Sequence, residues 1–164
     1  IQPVMQALPL GRAEIRRRGQ SGLLLLGFGP MVEAARPVAE KLDATLVNMR
    51  FVQPLDTALL RELVPQHAAL VTLEENVVEG GAGSGIAEFL DGASLAGPRL
   101  HLGIPPRFIE HGSREECLAE AGLDVATISA SVERWWAAVG SNARPARAAS
   151  RLAAAGRPAA SESR

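Results

Sequence analysis

The sequence predicts an α/β fold, a three-layer sandwich built on a mostly parallel sheet of about five strands. Three observations carry that prediction. The runs Leu23–Leu26 and Ala68–Leu73 are apolar throughout rather than alternating, as strands buried on both faces are. Segments with apolar residues at three- and four-residue spacing separate such runs. Glycine and proline punctuate the junctions, as at Gly22, Gly27 and Gly29-Pro30.

The elements follow in order. Residues 1–10 read as a linker, because Pro3 and Pro9 disfavour regular structure. Ala13–Arg17 alternates and reads as an edge strand, followed by the buried strand Leu23–Leu26. Gly29-Pro30 opens a helix that buries Val32, Ala35, Ala39 and Leu42, and Pro37 should kink or shorten it. Ala44–Asn48 is the next strand. A helix capped by Asp56 buries Leu59, Leu60, Leu63 and Val64, and Pro65 ends it. Ala68–Leu73 is the third buried strand, and Ser84–Leu95 the helix behind a glycine cluster. Arg99–Leu102 is a last strand, closed off by Pro105-Pro106. Ser113 and Glu116 have the spacing of a capping box. Asp124 caps a final helix with Val125, Ile128, Val132, Trp135, Trp136 and Val139 at helical spacing. The two tryptophans are adjacent, so one should be exposed or at an interface. The expected domain spans 11–140. Residues 141–164 read as a disordered tail of Ala, Arg, Pro and Ser with too little to bury.

Formal net charge is −1, but the segment from Ala143 onward holds five arginines against Glu162 alone. The preceding residues therefore carry a net charge of −5, a poor basis for binding nucleic acid. A single cysteine, Cys117, allows no intrachain disulfide and fits a cytoplasmic setting. No apolar run approaches the ~20 residues of a membrane span. The chain opens at Ile1 rather than Met, which reads either as trimmed residues or as a piece of a longer polypeptide.

The stretch from Leu70 to Gly85 is the densest in candidate chemistry: an apolar strand, then Glu74-Glu75-Asn76, then Gly80-Gly-Ala-Gly-Ser-Gly85, then a helix. Such loops lie at the carboxyl ends of parallel strands, where ligands and partners meet α/β sheets. A phosphate site is disfavoured. Ile86 stands where the dinucleotide fingerprint needs its third glycine, no Gly-Lys-Ser/Thr follows, and Glu74, Glu75 and Glu79 would repel an anion. A glycine-built turn with close helix packing suits the cluster better. Adjacent in extended chain, Glu74 and Glu75 should face opposite ways, so a paired-carboxylate mechanism is disfavoured. One of them capping a loop or bonding across a domain interface is the expectation. His67, His101 and His111 lack metal-ligand spacing. Cys117 shares a helix face with Ala121 and reads as a small core residue. Arg107-Phe-Ile-Glu-His-Gly-Ser113 follows the last strand. It reads either as a surface connection with Phe108 and Ile109 tucked into the core, or as a contact with another domain.

Four segments carry a family resemblance: Leu25-Leu-Gly-Phe-Gly29, Val47-Asn-Met-Arg-Phe-Val-Gln-Pro-Leu-Asp56, Val71-Thr-Leu-Glu-Glu-Asn-Val-Val-Glu-Gly-Gly-Ala-Gly-Ser84 and Arg107-Phe-Ile-Glu-His-Gly-Ser-Arg-Glu-Glu116. Together they resemble the C-terminal domain of the transketolase superfamily, and within it the 1-deoxy-D-xylulose-5-phosphate synthases. The second motif recurs loosely across the superfamily; the third and fourth are more specific to the synthases. The resemblance covers residues 1–140. It implies a homodimeric, cytoplasmic transferase whose two upstream domains bind thiamine diphosphate and Mg2+. That enzyme condenses pyruvate, with decarboxylation, and glyceraldehyde 3-phosphate toward isoprenoids, thiamine and pyridoxal. It also implies that this domain serves assembly, with no catalytic, cofactor or metal residue of its own and no activity alone. The residues expected at a domain or dimer interface are Glu74, Glu75, Asn76, Gly81, Gly83, Arg107 and His111. Transketolase itself, the beta subunit of a 2-oxoacid dehydrogenase and a free-standing α/β interaction module are the alternatives.

Overall fold

The structure is a computed structural model that describes residues 7–139. The expectations for the first six residues and for the tail lie outside that range. The strands are β1 (Glu14–Arg17), β2 (Leu23–Gly27), β3 (Thr45–Asn48), β4 (Ala69–Val77) and β5 (Arg99–Ile104). They form one sheet in the order β1-β3-β2-β4-β5. β2, β3, β4 and β5 run parallel, and β1 pairs antiparallel with β3 at one edge. The helices are α1 (Met31–Lys41), α2 (Thr57–Leu63), α3 (Ala82–Gly92), α4 (Arg114–Ala121) and α5 (Val125–Val139).

The alternation of side chains along a strand divides the core in two. Leu23, Leu25, Leu46, Ala69, Val71 and Leu73 pack with α1 and α5. Leu24, Leu26, Val47 and Leu70 face the other way, against Leu60 and Leu63 of α2 and Ile86 and Leu90 of α3. These are the three layers expected from the doubly buried strands. The sequence-read caps hold as well. Asp56 Oδ1 accepts from the Leu59 amide at 3.1 Å, Ser113 and Glu116 form the reciprocal box, and Asp124 Oδ1 accepts from the Thr127 amide at 3.0 Å.

Four expectations need correction. α1 continues a full turn beyond Pro37, which lies on the exposed face. Water can there bond the carbonyl that proline's missing N–H leaves free. β4 runs on to Val77 through a register irregularity after Leu73, so Glu74 and Glu75 sit within an irregular strand end. α3 begins at Ala82 rather than Ser84, for a reason given below, and ends at Gly92 rather than Leu95. For the tryptophans, the exposed alternative does not hold: Trp135 and Trp136 are both half-buried and flank the same core cluster from successive positions on α5.

Candidate functional site

Every β-to-α loop of a parallel sheet opens at the carboxyl ends of its strands, so these loops share one end of the molecule. At the end of β4 the chain turns through Glu79, Gly80 and Gly81 into α3. Gly80 holds φ +74, a left-handed conformation that favours glycine. Glu74 points inward and is 2% exposed. Its carboxylate accepts from the amides of Ala82, at 2.6 Å, and Gly83, at 2.8 Å. It thus caps α3 from eight and nine residues upstream, with charge-assisted bonds at the positive end of the helix. This cap is why α3 starts at Ala82.

The same corner explains the glycines. A Cβ on Gly81 would collide with the Val77 carbonyl and the Glu74 carboxylate. One on Gly83 would come within 2.6 Å of Thr72 Oγ1, 2.8 Å of His101 Nδ1 and 3.1 Å of Glu74 Oε1. Gly103 of β5 admits no side chain either, since its Cβ would lie 2.7 Å from the Asn76 carbonyl. His101 Nδ1 and Thr72 Oγ1 share a 2.7 Å hydrogen bond beneath Gly83. Burial holds the His101 imidazole below its ordinary pKa; the nearby Arg99 adds to this and Glu74 partly offsets it. Gly81 and Gly83, expected at an assembly surface, are buried parts of the domain's own packing. The amides that would cradle a phosphate are already occupied by Glu74.

Glu75 faces outward, as the alternation predicted. It receives Arg114 of α4 through two bonds, Nη2–Oε2 at 2.8 Å and Nε–Oε1 at 3.2 Å. The pair ties the end of β4 to the start of α4. Asn76 is exposed beside it. Arg107 binds Glu120 at the far end of α4, donating to its Oε1 at 2.8 Å and to its carbonyl at 2.6 Å. His111 is exposed. The expected interface set therefore separates into a buried trio, Glu74, Gly81 and Gly83, and a surface group, Glu75, Asn76, Arg107 and His111. Among the described residues, no group of three or more His, Cys, Asp or Glu side chains is arranged to hold a metal ion.

The loop after β5 corrects one alternative. Phe108 does not tuck into the core but is 81% exposed, while Ile109 is half-buried. Cys117 is half-buried against the carbonyls of Glu110 and Gly112 rather than in the core. Sequence reasoning missed Thr72, His101 and Gly103 in the Glu74 corner, because their only signal is cross-strand register. It also missed Val52, exposed at 58% in the loop after β3. An apolar residue between strand and proline, in Phe51-Val-Gln-Pro54, was the available hint.

Comparison with known proteins agrees with this architecture. The model of the transketolase C-terminal domain matches residues 11–128. A 1-deoxy-D-xylulose-5-phosphate synthase of Thioalkalivibrio sulfidiphilus is 57% identical over 132 residues, covering 80% of this chain and 20% of that protein. The synthase of Stutzerimonas stutzeri is 51% identical over 140 residues, covering 85% of this chain and 22% of its own length. This chain thus spans about a fifth of these relatives and aligns with their C-terminal region. Among solved structures, a chain described as a split gene transketolase, inactive beta4 tetramer, superposes with a TM-score of 0.72 at 27% identity. That match covers 88% of this chain and 46% of the other. No helix among the described residues is long and apolar enough to cross a membrane. On the family match, the sheet order and the four sequence motifs together, this chain belongs to the transketolase C-terminal domain family.

Proposed function

We propose that this chain is the C-terminal assembly domain of a 1-deoxy-D-xylulose-5-phosphate synthase. In this reading the whole polypeptide is a cytoplasmic, homodimeric transferase dependent on thiamine diphosphate and Mg2+. It decarboxylates pyruvate and joins the remaining two carbons to glyceraldehyde 3-phosphate, feeding isoprenoid, thiamine and pyridoxal synthesis. Residues 1–10 serve as the linker from upstream domains, residues 11–140 form the domain and residues 141–164 are an appended tail. The observation that carries the reading is identity of 57% to a synthase over its C-terminal region, against 27% to the split transketolase chain.

When bound, thiamine diphosphate supplies a stabilised carbanion for joining the two fragments, chemistry that no side chain offers. The residues here do not suit the cofactor. Its diphosphate would need free amides and a cation, whereas Glu74 takes the amides of Ala82 and Gly83, with Glu75 and Glu79 close in sequence. No chemical step is assigned to this chain. Its part is to present Glu75, Asn76, Arg107 and His111 toward another domain or subunit, on a frame that Glu74, Gly81 and Gly83 hold rigid.

A domain exchange tests the proposal. Residues 7–139 replace the C-terminal fifth of the Thioalkalivibrio sulfidiphilus synthase, and product formation from pyruvate and glyceraldehyde 3-phosphate is followed. The expected result is a dimer with activity comparable to the parent. A folded chimera without activity, or one that works as well inside a transketolase, would contradict the synthase assignment.

A further inference from the structure

Single apolar residues scattered over a surface need no explanation. Among the described residues, the exposed large hydrophobic ones are Leu8, Leu10, Val52, Val77, Phe108 and Val125. They are not scattered. Val52 follows β3, Val77 ends β4 and Phe108 follows β5, so all three lie at the carboxyl end of the parallel strands. Val125 starts α5 and lines a cleft with Pro30 and Met31, which follow the end of β2. β1 runs antiparallel and begins opposite Asn48, the last residue of β3. The segment bearing Leu8 and Leu10 therefore enters at this end too. Each of these residues belongs to the same face, and at the opposite end the large apolar Trp136 is half-buried.

The surrounding elements are held in a way that leaves this face open. α4 buries none of its residues fully: Leu118 and Ala121 pack partly buried against the core, and the exposed Arg114–Glu75 and Arg107–Glu120 pairs hold its two ends. Beside them, Phe28, Pro30, Val52, Glu75, Asn76 and Gly80 line a mainly apolar cleft. An 81% exposed phenylalanine and an apolar cleft with a polar rim, both at the carboxyl end of the sheet, have the anatomy of an unfilled contact.

Resting on the synthase reading above, we infer that this carboxyl-end face, centred on Phe108 and Val52, is where the preceding part of the same polypeptide packs. Two facts select that occupant over a second copy. The chain enters the domain on this face, through Leu8 and Leu10, which are 58% and 75% exposed. The relatives carry about four-fifths of their length outside the matched region, ahead of it in sequence. A body tethered at this face has a high effective concentration there, so a modest apolar patch suffices to hold it.

The test uses the chimera of residues 7–139 with the Thioalkalivibrio sulfidiphilus synthase, and the 164-residue chain in parallel. Phe108→Asp and Val52→Asp are made separately in both, with Ala137→Asp, at the far end of α5, as the control. The readout is the rate of proteolytic cleavage at the junction before residue 11. In the chimera each of the first two substitutions is expected to raise that rate by about tenfold, the scale of losing a central interface contact. Both should leave the melting temperature of the 164-residue chain unchanged, and Ala137→Asp should do nothing in either. Unchanged cleavage in the chimera would overturn the inference, as would dimers of the 164-residue chain that Phe108→Asp dissolves. Activity of the unsubstituted chimera reports separately on the synthase assignment. An inactive chimera that still shows the cleavage effect would sink that assignment and leave the docking face standing.

Discussion

Two regions at the same end of the sheet are built on opposite principles. The corner formed by Glu74, Gly81, Gly83, Thr72 and His101 is closed: its carboxylate, amides, hydroxyl and imidazole pair with one another, and a methyl group on Gly81 or Gly83 would not fit. In the loop after β5, by contrast, Phe108 stands in solvent, and α4 packs only the partly buried Leu118 and Ala121 on the core, with surface ion pairs at its ends. The first region makes the end of the molecule rigid. The second leaves it incomplete. A domain that works by docking needs both, because a soft frame would dissipate the contact energy in its own rearrangement.

The contrast predicts where substitutions hurt. The largest effect should come from Gly83→Val, which forces the Thr72 hydroxyl and the His101 ring to move. Overpacking of this kind, with loss of the corner's hydrogen bonds, should cost about 3 kcal/mol. Denaturant melts should show the same loss in the 164-residue chain and in a full-length context, since the clash is internal. A loss confined to the full-length context would return Gly83 to the assembly surface. Glu74→Ala comes next. It strips two buried amides of their acceptor and should cost about 2 kcal/mol, measurable by urea unfolding.

Smaller still is the pH effect at His101. Its pKa is depressed in the fold, so between the ordinary histidine value and the folded value the unfolded chain binds the extra proton. Stability contributed by this site is therefore present above pH ~6.5 and declines as the pH falls below it. His101→Gln should flatten that part of the stability profile, leaving the acid-side loss from Glu14, Asp43 and Asp124 at lower pH. An unaltered slope in the variant would show that the imidazole does not report on the corner. The smallest effect should be that of Arg114→Ala, which removes an exposed pair with Glu75: the urea midpoint should barely move, and less still at high salt.

These differences also mark what could be read from the sequence. Caps whose partners lie three residues away, at Asp56, Ser113 and Asp124, were legible because local geometry alone decides them. The strand runs and the edge placement of β1 were legible from burial pattern. That Glu74 or Glu75 would cap a loop was legible too, but which of them and onto which amides was not, because that depends on the irregular end of β4 and on a turn that brings residue 74 to residues 82 and 83. The glycine cluster pointed to the right loop, but whether its small residues face a partner or the domain's own interior is set by packing against β5. Phe108 admits two readings for a related reason. Apolarity predicts burial without saying whether this domain or another surface provides it, and here the domain does not.

The central claim, a closed corner beside an open docking face, is tested most directly by amide hydrogen exchange on two samples. One is the 164-residue chain, and the other is the same domain joined to the upstream part of the Thioalkalivibrio sulfidiphilus synthase. The account predicts that the amides of Ala82 and Gly83 are strongly protected in both samples, while those of residues 51–53 and 107–111 gain protection only in the joined protein. Protection of Ala82 and Gly83 that appears only on joining, with the Phe108 loop equally open in both samples, would contradict it.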